Sequence, residues 1–198
     1  IRNDNLYEKV GGKMDFKKTI EAHEQAVMAL KEHCLPELEK MAEICRQAIK
    51  NDHKILLCGN GGSAADSRHI AAEFVGRFVK ERKGLPSIAF TTDTSILTAI
   101  GNDYGYEEVF RRQVEALGRE GDVLIGISTS GNSGNIVKAF EQAKKQGVKT
   151  LALTGQKDSK MSALADVTLK VPAPGTARVQ ECHIMIGHMI CEYIDEEY

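Results

Sequence analysis

The segment from Ser128 to Ser133 reads Ser-Thr-Ser-Gly-Asn-Ser and places four hydroxyl side chains within six residues. It follows an apolar run and precedes a stretch with helical spacing. The free amides of a helix N-terminus, a glycine and several hydroxyls together form a neutral site for a phosphate group. Capping the helix needs only one hydroxyl, so capping does not explain all four. This serine loop therefore predicts phosphate binding.

The serine loop contains no Lys or Arg. A site for a nucleoside triphosphate ordinarily adds a lysine and a carboxylate that holds a metal ion. The composition of the loop therefore favours a phosphate monoester as its ligand.

A second polar turn, Gly59-Asn60-Gly61-Gly62-Ser63, follows another apolar run. Its glycines allow a ligand to approach the backbone, and Ser63 is expected to cap the next helix. A tight strand-to-helix turn needs glycine in any case, so this turn is weak evidence for a site. It matches neither the dinucleotide-binding nor the P-loop pattern.

The helix predicted over residues 63–79 carries Asp66, His69, Glu73 and Arg77 at spacings of three and four. His69 and Glu73 can converge on one point, which allows shared metal coordination or an acid–base pair. The same spacing is typical of a solvated ladder of salt bridges. Spacing alone favours the ladder.

A final helix, predicted from Thr176 to Ile194, is apolar over most of its circumference, which predicts burial in the core or in a subunit interface. His183 and His188 within it are expected to be core residues, because a lone histidine in an apolar helix is seldom a ligand. The segment 101–105, Gly-Asn-Asp-Tyr-Gly, is predicted to be a turn.

These polar segments are separated by short, continuously apolar runs that alternate with helical patterns. The runs span 54–58, 87–90, 123–127, 150–153 and 167–171, and the helices 15–33, 36–50, 63–79, part of 95–118, 133–146, 159–165 and 176–194. This alternation predicts an α/β protein with a three-layer, doubly wound, five-stranded parallel sheet, preceded by two N-terminal helices. Ligands of such sheets bind beyond the carboxyl ends of the strands.

Composition limits the classes of function. Charged residues make up 27% of the 198 residues and the net charge is −2, so no basic surface for nucleic acid or an anionic membrane is expected. Five cysteines without a CxxC pair and the lack of a long apolar stretch fit a cytoplasmic protein with reduced thiols. Residues 1–13 are polar and are expected to be a cloning remnant or a disordered extension, which leaves 14–198 as a single domain.

Six motifs of the chain become recognisable when they are taken in order. They are Cys58-Gly-Asn-Gly-Gly-Ser63, His69-x-x-x-Glu73, Gly101-Asn-Asp103, Gly126-Ile-Ser-Thr-Ser-Gly-Asn-Ser133, Leu153-Thr-Gly155 and Gln180-Glu-x-His183-x-x-x-x-His188. Together they resemble the sedoheptulose 7-phosphate isomerases, or phosphoheptose isomerases, of the sugar isomerase (SIS) fold, which is flavodoxin-like. The resemblance extends from about residue 14 to the C-terminus.

The resemblance implies conversion of sedoheptulose 7-phosphate to D-glycero-D-manno-heptose 7-phosphate, for heptose in bacterial lipopolysaccharide and other surface polysaccharides. It also implies a cytoplasmic homotetramer with active sites between subunits and one zinc ion per subunit. The metal ligands of the family fall on His69, Glu73, Gln180 and His188. Its phosphate contacts fall on Ser128, Thr129, Ser130 and Ser133. Its other substrate contacts fall on Asn60, Gly61, Gly62, Glu73, Asn102, Asp103 and Gln180.

This chemistry suits the residue types. Moving a proton between C1 and C2 of an open-chain sugar passes through an enediol, which requires a base at carbon and stabilisation of charge at oxygen. The resemblance makes Glu73 the base and His188 its catalytic partner. Gln180 and His188 are eight residues apart, or ~12 Å along a helix. Either Gln180 stands at the helix entrance or the site includes residues of another chain.

Two other functions are compatible with much of the motif order. One is a non-catalytic SIS protein that binds the replication initiator, in which the residues matching Glu73 and His188 are typically replaced. The other is a phosphosugar-sensing module, which is expected to keep the serine loop and lose the base. The presence of both Glu73 and His188 favours the enzyme.

Overall fold

The computed structural model describes residues 15–198, so the predicted extension at 1–13 lies outside the described residues. Five strands occur in this part of the chain: β1 (Ile55–Gly59), β2 (Ser87–Ala89), β3 (Val123–Ser128), β4 (Lys149–Gly155) and β5 (Val167–Val171). Eight α-helices occur in it: α1 (Phe16–His33), α2 (Leu35–Lys50), α3 (Gly62–Val75), α4 (Thr94–Tyr104), α5 (Arg111–Leu117), α6 (Gly134–Lys145), α7 (Lys160–Leu164) and α8 (Thr176–Asp195). None of these helices is both long enough and apolar enough to cross a membrane.

The strands form one sheet in the order β2-β1-β3-β4-β5, and all neighbours are parallel. This confirms the predicted doubly wound sheet. The chain leaves β1 toward β2 on one side and returns to β3 on the other. The strand order therefore reverses between β1 and β3, where sheets of this kind bind ligands.

The sheet is covered on both faces, which explains why its strands read as continuous apolar runs. In β1, Ile55 and Leu57 face a core built with α1, α2, α3 and α8. Leu56 and Cys58 between them face a second core, on the side of α5, α6 and α7. Alternate residues of a strand point to opposite faces, so both sets of side chains are buried.

Two N-terminal helices precede the sheet, as predicted. The side chain of Asp15 caps α1 by accepting a hydrogen bond from the Lys17 amide. Cys34 separates the helices, and Pro36 lies in the first turn of α2, where a missing amide proton costs no hydrogen bond.

Two of the predicted elements differ from the structure. The helix predicted to reach residue 79 ends at Val75, because Gly76 leaves the helical conformation and the chain then turns back. The turn predicted at 101–105 is instead the last turn of α4, and only Gly105, with φ at 91°, leaves the helix. The Arg112 guanidinium covers the ring of Tyr104 at 4.5 Å, which favours the helical position of that residue.

Candidate active site

The two polar turns predicted from the sequence meet at the reversal of strand order. β1 ends at Gly59 and β3 ends at Ser128, and these strands are adjacent. The helices α3 and α6 begin immediately beyond them. Asn60 and Asn135 join the turns through a reciprocal pair of amide hydrogen bonds, each 2.9 Å long. The carboxyl edge of the sheet therefore carries one continuous polar surface.

The hydroxyls of the serine loop face one another. Ser128 Oγ lies 2.9 Å from Ser133 Oγ and 3.4 Å from Ser130 Oγ. Ser133 is the N-cap residue of α6, yet its side chain makes no capping hydrogen bond. Capping of α6 therefore does not account for these hydroxyls, although Ser130 Oγ also accepts from the Asn132 amide at 3.2 Å. They lie beside the amides of α6, where an anion can bind.

The backbone of the serine loop is held by neighbouring elements. The Gly155 amide donates to the Thr129 carbonyl at 3.1 Å, and the Met161 amide to the Gly131 carbonyl at 3.0 Å. Gly131 has φ at 62°, and a side chain there would overlap Ser159. The conformation of the loop is thus fixed by β4 and α7.

The turn at residues 59–63 differs from its expected form. The N-cap residue of α3 is Gly61, and Ser63 lies buried inside the helix rather than capping it. The Gln180 side chain packs directly against Gly62, where a side chain would collide with it. Gln180 therefore stands at the N-terminus of α3, beside the predicted substrate contacts Asn60 to Gly62.

A second group of predicted residues comes together between α3 and α8. His69 Nε2 lies 2.9 Å from His188 Nε2 and 3.3 Å from the Glu73 carboxylate. The Phe78 ring stacks on His188, with ring centroids 5.5 Å apart. The His69 side chain is 51% exposed and that of Glu73 is 23% exposed, so the group is open to a ligand. We call His69, Glu73 and His188 the His–Glu cluster.

Close approach of two helices produces the His–Glu cluster. A side chain at Gly187 would overlap Ile70, so glycine at this position lets α8 pack directly on α3. His188 is thereby placed beside His69. The ladder interpretation of α3 is wrong at its end, because Arg77 lies beyond the helix and pairs with Glu81 at 3.5 Å. Burial raises the pKa of Asp66, the remaining member of the ladder.

The structure keeps some predicted site residues apart. Gln180 and His188 are two turns apart along α8, so one chain does not bring Gln180 to the His–Glu cluster. Asn102 and Asp103 are exposed in the last turn of α4, where the Asn102 amide donates to the Asp103 carboxylate at 2.8 Å. His183 is a core residue, as predicted: its Nε2 lies 3.2 Å from the Thr154 carbonyl, and burial lowers its pKa to about 4.

Two polar residues at the carboxyl edge were missed by sequence reasoning. Asn135 anchors Asn60, and the Tyr106 hydroxyl donates to Asn60 Oδ1 at 3.1 Å. Asn135 directly follows Ser133-Gly134, so extending the serine loop by two residues would have found it. Tyr106 comes from a short 3₁₀ helix whose position no local pattern indicates.

The His–Glu cluster has the donor types of a zinc site. Zinc bonds of ~2.0–2.1 Å in a tetrahedron place two ligand atoms ~3.3 Å apart, close to the two distances found here. Between residues 15 and 198, however, no group of three or more His, Cys, Asp or Glu side chains is arranged to hold a metal ion. The two paired distances are close to those of zinc ligands, but the three side chains as they stand do not form a ligand set.

Comparison with known proteins identifies the family of the chain. Residues 19–155 match the family model for the SIS domain. The phosphoheptose isomerase of Aliarcobacter butzleri is 56% identical over 89% of this chain and 93% of that relative.

Two solved structures of phosphoheptose isomerases have the same fold. The protein from Neisseria gonorrhoeae has a TM-score of 0.81 at 48% identity, covering 91% of this chain and 95% of that one. The protein from Francisella tularensis has a TM-score of 0.88 at 36% identity, covering 91% and 96%. The chain therefore belongs to the phosphoheptose isomerases, a family of SIS-domain proteins.

Proposed function

We propose that this chain converts sedoheptulose 7-phosphate to D-glycero-D-manno-heptose 7-phosphate through an enediol. The serine loop holds the phosphate and Glu73 moves the proton between carbons. The activity follows from membership of the phosphoheptose isomerases at more than half identity over most of the chain. The roles of individual residues rest on the geometry described above.

The His–Glu cluster is the observation that carries this assignment. A protein that only binds a phosphosugar needs the serine loop but has no use for a carboxylate beside two facing imidazoles. Glu73 is partly sheltered and lies 3.3 Å from His69, which in turn lies 2.9 Å from His188. His69 therefore links the proposed base to the proposed proton carrier. A non-catalytic SIS protein does not require this arrangement.

The proton transfers balance without a further reactant. The Glu73 carboxylate takes a proton from C1 of the ketose while O2 gains one, which forms the enediol. Glu73 then returns its proton to C2 while O1 loses one, which forms the aldehyde. We assign the transfer of the oxygen-bound protons to His188, because its imidazole contacts His69 at an exposed position of the cluster.

The phosphate is held away from this chemistry. Ser128, Ser130 and Ser133 present hydroxyls and α6 presents its N-terminal amides. Thr129, in the same loop, is a fourth candidate donor. Because these groups are neutral, they suit a monoester that must be released after each turnover.

The two halves of the machinery lie apart within one chain, which supports an active site between subunits. α3 begins at Gly62, in the turn whose Asn60 bonds to Asn135 of α6 beside the serine loop. Glu73 lies eleven residues further along, or ~16 Å down the helix. We propose a homotetramer in which the serine loop of one subunit meets the His–Glu cluster of another. Large apolar side chains exposed on α1, including Phe16 (71% exposed) and Met28 (61% exposed), support an extensive interface.

We further propose one zinc ion per subunit, held by His69, Glu73 and His188 and completed by Gln180 of another chain. Bound zinc would polarise the substrate carbonyl. Metal analysis after purification without chelator tests this directly. About one zinc per chain, lost in His69→Ala, is the expected result, and a metal-free protein of full activity would remove zinc from the mechanism.

We place the enzyme in the cytoplasm, at the step that commits a heptose to bacterial surface polysaccharide. The five cysteines are buried free thiols, which supports a reducing compartment.

The proposed activity is tested by incubating the purified protein with sedoheptulose 7-phosphate and following formation of the aldoheptose 7-phosphate by NMR. We expect product at a rate proportional to enzyme. A protein that binds the ketose phosphate without forming aldose would contradict the proposal and favour the phosphosugar-sensing alternative.

A further inference from the structure

A buried ion pair joins Arg82, in the segment between α3 and β2, to Asp195 at the end of α8. The side chains of Arg82 and Asp195 are 1% and 3% exposed, and Arg82 Nε donates to Asp195 Oδ1 at 2.6 Å. Removing two charges from water is costly, so such a pair persists only when its remaining donors and acceptors are also satisfied.

The other nitrogens of Arg82 bind the end of α3. One terminal nitrogen donates to the Glu73 carbonyl at 2.9 Å, and the other donates to the carbonyls of Phe74 and Lys83 at 3.0 and 3.1 Å. The carbonyls of a last helical turn have no partner within the helix and carry partial negative charge. Arg82 therefore caps α3 at the residue that provides the proposed base.

Asp195 binds the loop that carries Phe78. Its second oxygen accepts hydrogen bonds from the amides of Val79 and Lys80 at 2.7 and 3.0 Å. Burial acts to raise the pKa of Asp195, but the bonds from Arg82 and the two amides outweigh it and hold that pKa below its ordinary value. The carboxylate is therefore ionised at neutral pH and fully bonded.

One ion pair thus joins both sides of the His–Glu cluster. Arg82 holds the backbone of Glu73, while Asp195 ends α8 two turns beyond His188. The loop that follows α3 carries Phe78, whose ring stacks on the His188 imidazole. Neither charge of the pair lies in the open face of the cluster, since both side chains are buried.

We propose that Arg82 and Asp195 are positioning residues that fix the distance between the Glu73 carboxylate and the His188 imidazole. This inference rests on the proposed function, because it takes Glu73 as the base. Proton transfer is sensitive to displacements of an ångström or less, so the pair acts on the chemical step rather than on substrate binding.

The test uses Arg82→Lys, which keeps the positive charge beside Asp195 but replaces three donor nitrogens with one. We expect kcat to fall on the order of 10- to 100-fold with KM little changed. The deuterium isotope effect on kcat, measured with sedoheptulose 7-phosphate deuterated at C1, should rise because proton abstraction becomes slower. A mere loss of folded protein lowers the rate but leaves the isotope effect unchanged.

Asp122→Asn is the matched control. Asp122 is a buried carboxylate that directly precedes β3, outside the contacts of the His–Glu cluster, and it accepts from Lys54 Nζ at 2.6 Å and from the Lys54 amide at 3.0 Å. We expect this variant to lower Tm while its kcat per folded enzyme and its isotope effect remain those of the wild type. Arg82→Lys behaving in the same way would overturn the proposal.

If Arg82→Lys does not fold, Phe78→Leu is the second test of positioning. It keeps the ion pair and removes only the ring that stacks on His188. A reduced kcat with a raised isotope effect supports the proposal, and wild-type values overturn it. Glu73→Gln separates this inference from the proposed function. Wild-type turnover in Glu73→Gln would contradict the base itself, whereas an inactive Glu73→Gln beside a fully active positioning variant would contradict only the positioning role.

Discussion

The serine loop and the His–Glu cluster are built in different ways. The loop is local: six consecutive residues supply the hydroxyls, the glycine and the entrance to α6. The cluster instead depends on the packing of two helices distant in sequence, with Gly187 allowing the close approach. The proposed phosphate site is therefore encoded in one segment, whereas the proposed site of proton transfer depends on the tertiary structure.

The two regions also differ in how their polar groups are satisfied. The loop hydroxyls bond mainly to one another, and the loop backbone is bonded to β4 and α7. The cluster places two imidazole nitrogens face to face at 2.9 Å, where only one of them can donate a proton. The polar groups of the loop are thus largely satisfied within the loop and by its neighbours, whereas the cluster leaves imidazole and carboxylate groups open for the proposed proton transfer.

The largest effect is expected at the base. Glu73→Gln keeps the size of the side chain but removes the carboxylate, so turnover should fall on the order of 10³-fold or more with KM little changed. Steady-state kinetics of aldoheptose phosphate formation check this. Glu81→Gln, at a side chain that is 90% exposed, is the control and should keep full activity.

A smaller loss of turnover is expected at the partner histidine. His188→Asn removes the proton carrier but leaves Glu73 in place, so kcat should fall on the order of 10²-fold. His53→Asn, at the amino edge of the sheet, should have wild-type kinetics. Equal activity of the two histidine variants would contradict a catalytic role for His188.

The pH dependence of stability tests whether His183, one of the two histidines of α8, is a buried neutral imidazole. Its folded-state pKa of about 4 lies below the ordinary value, so the unfolded chain binds its proton first as the pH falls. The contribution of His183 to the free energy of unfolding is intact above pH ~6.5. It declines by about 3 kcal/mol as the pH falls toward 4. Urea unfolding of the wild type should show this decline.

His183→Gln, which does not titrate, is the comparison for that measurement. Its free energy of unfolding should depend less on pH over the same range, even if the variant is less stable at neutral pH. Identical pH dependence in the two proteins would show that His183 is not a buried neutral imidazole.

The smallest effect is expected in the serine loop, because several donors share the phosphate. Ser133→Ala removes one hydrogen bond to a charged group, so KM should rise about tenfold while kcat changes little. Thr150→Val removes a buried hydroxyl bonded to Asp166 at 2.9 Å and should lower stability without changing KM. A fall in kcat with an unchanged KM in Ser133→Ala would contradict phosphate binding by the serine loop.

The contrast between the regions explains what could be predicted from the sequence. The five-stranded parallel sheet follows from the apolar runs, and the serine loop follows from a local surplus of hydroxyls over what capping requires. The His–Glu cluster did not follow from spacing, since His69 and Glu73 alone suggested a salt-bridge ladder; family resemblance identified them. No local sequence pattern indicates the contact of Ile70 with Gly187, which brings His188 to His69.

The errors have the same physical origin. The predicted extension of α3 to residue 79 overlooked that Arg82 returns to bind the Glu73 and Phe74 carbonyls and replaces the next helical turn. The ion pair of Arg82 with Asp195 joins residues far apart in sequence, and no spacing rule could have indicated it.

The serine loop and the His–Glu cluster lie apart within one chain, and mixed oligomers test most directly whether two subunits share an active site. Glu73→Gln has an intact serine loop, and the double variant Ser128→Ala with Ser133→Ala has an intact His–Glu cluster. The two inactive or weakened proteins are co-expressed with different affinity tags, and the mixed oligomers are purified and assayed. We predict activity well above that of either parent, because some sites combine the loop of one chain with the base of the other. Mixed oligomers no more active than their parents would contradict an active site shared between subunits.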